Sequence, residues 1–327
     1  MKLGRPLAVA TAAVLLLAGS AGAATWRVPG DFPTIQAAMD SSLVAAGDTI
    51  YVQAGVRAGA TVTKAVILQG QGRVTIANGP VVNSLGNAGF LFAGDGAGSG
   101  ATITGFVFDR VAFPVFSRGA DDVSVTHNAM WRSIQAITSW AKASWGKGWD
   151  ISHNDILSLR TSCGGGIGIL IGDYAGGTVT GNLIAHNRVR SWLRVPPTDC
   201  GGYNAPGIVL FADFRYPGDQ GAAIQENRVA KNWVAVASGN PRLVTVSAIE
   251  LSDTRDLSTQ LVIQGNDIVY NDLRGSSEPF SITPDELETV NRIEHNYTGA
   301  STAWPDLVRN GAGGEALPPG AAAAPVR

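Results

Sequence analysis

Apolar and polar residues alternate along most of this chain in short runs, not at helical spacing. Six segments share a β-branched residue, two variable residues and an asparagine: Val125-Thr126-His127-Asn128, Ile151-Ser152-His153-Asn154, Val179-Thr180-Gly181-Asn182, Ile224-Gln225-Glu226-Asn227, Ile263-Gln264-Gly265-Asn266 and Ile293-Glu294-His295-Asn296. Two residues past five of these asparagines an apolar residue returns, at Met130, Ile156, Ile184, Val229 and Ile268. In three segments a second asparagine follows five residues after the first, at Asn187, Asn232 and Asn271. Alternation with period two predicts strands. A fixed motif separated by 26, 28, 45, 39 and 30 residues predicts a solenoid whose units are single turns and whose insertions fall in loops.

Asparagine tolerates the left-handed backbone conformation that a tight bend requires. If asparagines recur at one bend, they stack at the strand spacing of about 4.8 Å and their amides bond along the stack. The expectation is one ladder of Asn128, Asn154, Asn182, Asn227, Asn266 and Asn296, with Val125, Ile151, Val179, Ile224, Ile263 and Ile293 pointing inward. A third strand per turn is visible in Gly168-Ile169-Leu170-Ile171, Gly207-Ile208-Val209-Leu210 and Ala248-Ile249-Glu250-Leu251. Stacking would place Ile169, Ile208 and Ile249 in one buried column and Ile171, Leu210 and Leu251 in the next. The pattern therefore predicts an all-β protein, a parallel β-helix with three strands per turn. A solenoid must cover its open ends. Residues 34–43 place Ile35, Ala38, Met39 and Leu43 on one helical face, suiting a short N-terminal capping helix. Thr283-Pro284-Asp285-Glu286 reads as a capping box opening a helix to about Val290.

Val28-Pro29-Gly30-Asp31-Phe32-Pro33-Thr34-Ile35-Gln36-Ala37-Ala38, followed by Gly47-Asp48-Thr49-Ile50-Tyr51-Val52 and by Val66-Ile67-Leu68-Gln69-Gly70-Gln71-Gly72, resembles the first coils of right-handed parallel β-helix proteins of the pectin-lyase-like group. With the asparagine units the resemblance covers roughly residues 26–300. It implies a right-handed β-helix domain over 25–310. It says little about chemistry, because that fold hosts lyases, hydrolases, epimerases and non-catalytic proteins.

Composition narrows the picture at the ends and in the choice of partner. Lys2 and Arg5, an apolar run from Leu7 to Ala18 and the small residues Ala21-Gly22-Ala23 read as a signal peptide over 1–24. No stretch reaches 18 consecutive apolar residues, so no membrane span is expected and the mature chain should be secreted or periplasmic. The Gly-, Ala- and Pro-rich segment 311–327 is expected to be disordered. A formal net charge of −2 supplies no field to hold nucleic acid, and the protein is expected to act as a monomer. In an oxidising compartment Cys163 and Cys200, both followed by Gly-Gly, should form a disulfide between adjacent turns.

Three acids close the third strands: Asp173, Asp213 and Asp253. Arg215 and Arg255 follow two of them, and Glu250 lies between Ile249 and Leu251 on the outward face. Such a column could act as general acid and base or bind calcium, with the arginines holding a uronate carboxylate. Acids and arginines do this work on the helix flank of the pectate-lyase-like enzymes that the chain resembles. Otherwise the acids simply end strands and pair on the surface. Trp140 and Trp145, with Lys142 between them, would suit stacking on an anionic sugar, in a region 131–149 read as a loop. Two further insertions are read at 188–206 and 233–247. His127 and His153 should neighbour each other in a column continuing through Gly181, Glu226, Gly265 and His295, with no third ligand and so no metal. No nucleophile elbow or phosphate loop is present, nor are the signature segments of polygalacturonases, pectate lyases or alginate epimerases. The functional expectation is an exported β-helix acting as a lyase or hydrolase on an acidic glycan. The alternative is a non-catalytic glycan-binding or envelope scaffold.

Overall fold

The computed structural model describes residues 22–299, apart from 85, 143–144, 175, 215–222, 241, 243 and 255–260. The proposed signal peptide, save its last three residues, and the 311–327 tail lie outside the described residues.

Almost every strand pair is parallel and joins a segment to its equivalent one coil later, which defines a parallel β-helix. The first side stacks Ser124–Thr126, Asp150–Ser152, Leu183–Ala185, Arg228–Ala230, Asp267–Val269 and Arg292–Glu294. The second side stacks Ala129–Trp131, Asp155–Leu157, Arg188–Leu193 and Trp233–Ser238. The third carries Gly86–Phe92, Phe113–Arg118, Gln135–Ala141, Ile167–Asp173, Ile208–Ala212, Ser247–Asp253 and Glu278–Thr283. The later coils are wider than three strands. They add a short fourth side of Thr178–Thr180, Ala223–Gln225 and Ile263–Gln264. Segments that spacing alone assigns to insertions are thus largely strands of the second and third sides.

The third-side columns form as expected, with Ile169 opposite Ile208 and Ile208 opposite Ile249, and with Ile171, Leu210 and Leu251 aligned beside them. All six are at most 1% exposed. One core cluster runs through the coils, and Phe90 packs edge-on against Phe106 and Phe108 within it. Thr34 caps the helix Ile35–Asp40 by accepting from Ala37 N, and Ile35, Ala38 and Met39 enter the core. Leu43 does not follow. The helix ends at Asp40, Ser41 is extended, and Leu43 is 66% exposed. The second helix also departs from expectation. It spans only Leu287–Val290, Thr283 still belongs to a strand, and Glu286 caps with no side-chain bond.

The asparagines form two ladders, not one. In the first, each Nδ2 donates to the next Oδ1 through Asn128, Asn154, Asn187, Asn232, Asn271 and Asn296. In the second the series is Asn182, Asn227, Asn266 and Asn291. The single-ladder expectation is therefore corrected: Asn182, Asn227 and Asn266 stand at a different corner, between the fourth and first sides. The aliphatic residues divide in the same way. Val125 and Ile151 align with Ile184, Val229, Ile268 and Ile293. Val179 aligns with Ile224 and Ile263. Five of the six are buried, and Ile293 is partly buried against the core.

Cys163 and Cys200 form the expected disulfide between adjacent coils, with Cα atoms 5.1 Å apart. It closes a separation of 37 residues. Replacing both cysteines by serine is expected to lower stability by roughly 3–4 kcal/mol in the chain-entropy account. Urea denaturation checks this, and a loss below about 1 kcal/mol would show that the loop is already constrained.

Candidate functional site

The ends of the third-side strands bring the three aspartates together. Ala212 is opposite both Asp173 and Asp253, so these two acids lie two strands apart. Asp213 is one residue out of register, and its N–H donates to Asp173 O at 2.8 Å. All three are buried, at 0%, 3% and 3% exposure. One Asp173 oxygen accepts from Gly177 N. Arg215 and Arg255 lie outside the described residues. Glu250 faces outward opposite Val209, but it too is buried. Among the described residues, no group of three or more His, Cys, Asp or Glu side chains is gathered to hold a metal ion.

Trp140 is on a third-side strand rather than in a loop. It opposes Gly172, next to the strand end that carries Asp173. Its ring meets Tyr174 edge-on at 5.3 Å and Phe211 at 5.9 Å. A Cβ at Gly172 would come within 2.8 Å of that ring and 2.6 Å of Phe211 O, so only glycine fits beneath it. The outward face here is apolar, with Leu170 and Val209 packed against Trp140 and Phe211. Lys142 and Trp145 do not join the acids. Lys142 Nζ pairs with Asp95 at 3.0 Å, and the Trp145 ring lies against Gly96.

Two features escape a reading based on motif spacing. The histidine column is not the one expected. It runs His127, His153, His186, Lys231, Tyr270 and His295, each preceding a rung of the first ladder and each at φ between 55° and 59°. His127 stacks on His153 at 5.0 Å and His153 on His186 at 4.9 Å, nearly parallel. Burial, then His153 and Lys231, hold the His186 imidazole below its ordinary value. Gly181, Glu226 and Gly265 belong to the second ladder's corner, whose asparagines each follow them directly.

The second feature is the outward face of the second side. Arg188 opposes Trp233 in register, and its guanidinium sits 4.8 Å from that ring. Arg190 lies 5.3 Å from the same ring. Trp131, Leu157 and Arg190 form one outward column. Burial, then Arg110 and Arg132, lower the value of Arg160; burial, then Arg188, lowers that of Arg190, opposed by Asp155. Arg132 is paired with Asp109. Lys231, Trp233, Tyr270, Asp272, Arg274 and Tyr297 line a shallow depression that continues this face. The available signal was Arg188-Val189-Arg190 directly after Asn187, which the loop assignment of 188–206 hid.

No family model matches the chain, and no curated protein matches it. Among solved structures, a pectin methylesterase from Erwinia chrysanthemi is similar over 87% of this chain and 91% of that one, at 11% identity and a TM-score of 0.35. The β-helix is defined by its own strand register.

Proposed function

We propose that the protein is an exported parallel β-helix that binds polysaccharide on the third-side flank, with Trp140, Tyr174 and Phe211 as its stacking platform. The observation that carries this reading is that aromatic cluster, half-buried on the outward face at the strand ends. Flat rings of this kind present large apolar faces at little conformational cost. The disulfide suits an oxidising compartment. Burial of Asp173, Asp213 and Asp253 favours binding over cleavage, because a catalytic acid must reach the oxygen that it protonates.

The second reading is hydrolysis or β-elimination of an acidic glycan. Its support is the placement of Asp173 and Asp253 two strands apart, roughly 9–10 Å, near the upper end of the carboxyl separation of inverting glycosidases, about 6.5–9.5 Å. Arg215 and Arg255 would then hold uronate carboxylates, and the acids could hold calcium.

Affinity electrophoresis through gels containing single polysaccharides separates the two. Wild-type protein is expected to be retarded by at least one polymer, with binding about tenfold weaker in Trp140→Ala, as befits loss of one aromatic contact. Unchanged retardation of that variant would overturn the platform. Release of unsaturated or reducing ends that Asp253→Asn abolishes would establish the second reading in its place.

A further inference from the structure

We infer that the second side carries a separate site for a carboxylate-bearing polysaccharide, gripped by Arg160, Arg188 and Arg190 and stacked against Trp233. The class of polymer rests on the polysaccharide reading above; the site lies on a different face from the Trp140 flank.

Charge comes first. Arg110, Arg132, Arg160, Arg188 and Arg190 share this face with Asp109 and Asp155, and Asp109 is already engaged by Arg132. Arg190 is a half-buried cation beside Arg188, and Arg160 is an exposed one beside Arg110 and Arg132; like charge contributes to lowering both. An anion arriving here relieves repulsion that the fold leaves standing.

Unsatisfied donors point the same way. Arg188 Nε and Trp131 Nε1 are shielded from solvent and meet no acceptor. Buried donors without partners are rare in folded proteins. These two sit on one outward face, Arg188 above the Trp233 ring and Trp131 in the Arg190 column. A rotation of these two side chains would bring both donors to a ligand's oxygens.

Shape then selects among anions. The guanidinium fork matches a carboxylate bidentately. Successive coils repeat at about 4.8 Å; Trp131 and Arg190 lie along the axis in one column, with Arg188 and Trp233 in the column beside it, a surface suited to an extended polymer. The exposed Trp192, at 42%, lengthens the aromatic surface beyond Arg190.

The test is calorimetric titration of the full protein with a galacturonate hexamer and with its methyl ester, which removes charge and keeps shape. The acid form is expected to bind, the ester at least about tenfold more weakly, and Arg188→Gln with Arg190→Gln about 10–100-fold more weakly toward the acid, as for lost charge-assisted hydrogen bonds. In wild-type protein the acid hexamer should also protect Arg188 and Arg190 from phenylglyoxal, read by mass spectrometry, which needs no variant to fold. Equal affinity for acid and ester, wild-type affinity in the double variant, absence of protection, or a single-stranded DNA oligomer bound as tightly as the hexamer would each overturn the site. The two readings fail separately. Binding that Trp140→Ala removes, with no protection of Arg188 and Arg190, leaves the flank and eliminates this site. Protection in a protein whose binding ignores Trp140 does the reverse.

Discussion

Replacing Asn187 by alanine is expected to cost roughly 3–6 kcal/mol, since each buried group left without its partner costs about 1–3 kcal/mol. Asn187 is 1% exposed. Its Oδ1 accepts from both Asn154 N and Asn154 Nδ2, while its Nδ2 donates to Ile151 O and to Asn232 Oδ1. Alanine strands the Asn154 N–H and the Ile151 carbonyl in the interior and interrupts a chain of mutually polarising amides. Asn296→Ala should cost much less, because that last rung is only partly buried and its amide donates to Ile268 O without a further asparagine beyond it. Urea denaturation of both variants tests the contrast. If Asn187→Ala lost less than about 1 kcal/mol, the ladder would be a by-product of the coil and not a support for it.

The second large effect is expected at Trp149. Its side chain is 1% exposed, packs edge-on against Phe92 at 5.8 Å, and donates from Nε1 to Ala120 O at 2.8 Å. Trp149→Ala should destabilise by about 3–5 kcal/mol through the cavity it opens. Trp149→Phe fills most of that space but strands the Ala120 carbonyl, for about 1–3 kcal/mol. A phenylalanine variant as unstable as the alanine variant would mean that the hydrogen bond outweighs the packing. One no less stable than wild type would mean that Ala120 O finds water.

Strand alternation was legible because stacked coils bury the same parity in every turn. The third-side columns follow directly from Ile169, Ile208 and Ile249. What misled was the corner. An aliphatic residue, a left-handed residue and an asparagine make the same local bend wherever they stand, so Val179-x-x-Asn182 looks like Val125-x-x-Asn128 although it turns a different corner. The discriminating detail lay one step further. His186 precedes Asn187 as His127 precedes Asn128 and His153 precedes Asn154, which places the second asparagine in the first ladder. The arginine face was illegible for another reason. Its neighbours are set by coil stacking, so Arg188 meets Trp233 across 45 residues of chain, and no window along the sequence joins them. Trp140, read as a loop residue, lies on a third-side strand beside the acids, whereas Lys142 and Trp145 followed their own contacts to Asp95 and Gly96.

Both ladders keep the same step in every coil that has two rungs. Asn182 to Asn227 and Asn187 to Asn232 are each separated by 45 residues. The next coil spans 39 in both and the last 25 in both. All variation in length therefore lies outside the pair of corners, and the C-terminal half is divisible into interchangeable modules. Excising residues 227–265 would join Glu226 to Asn266 and bring each remaining rung against a rung. The coils of Asn128 and Asn154 cannot be traded in this way. They lack the second corner, and where it would begin stands Trp149, whose backbone N–H donates to Asn182 Oδ1. That tryptophan is the seam between a narrow segment of the solenoid and a wide one, so growth or loss of whole coils is open to this protein on one side of it only.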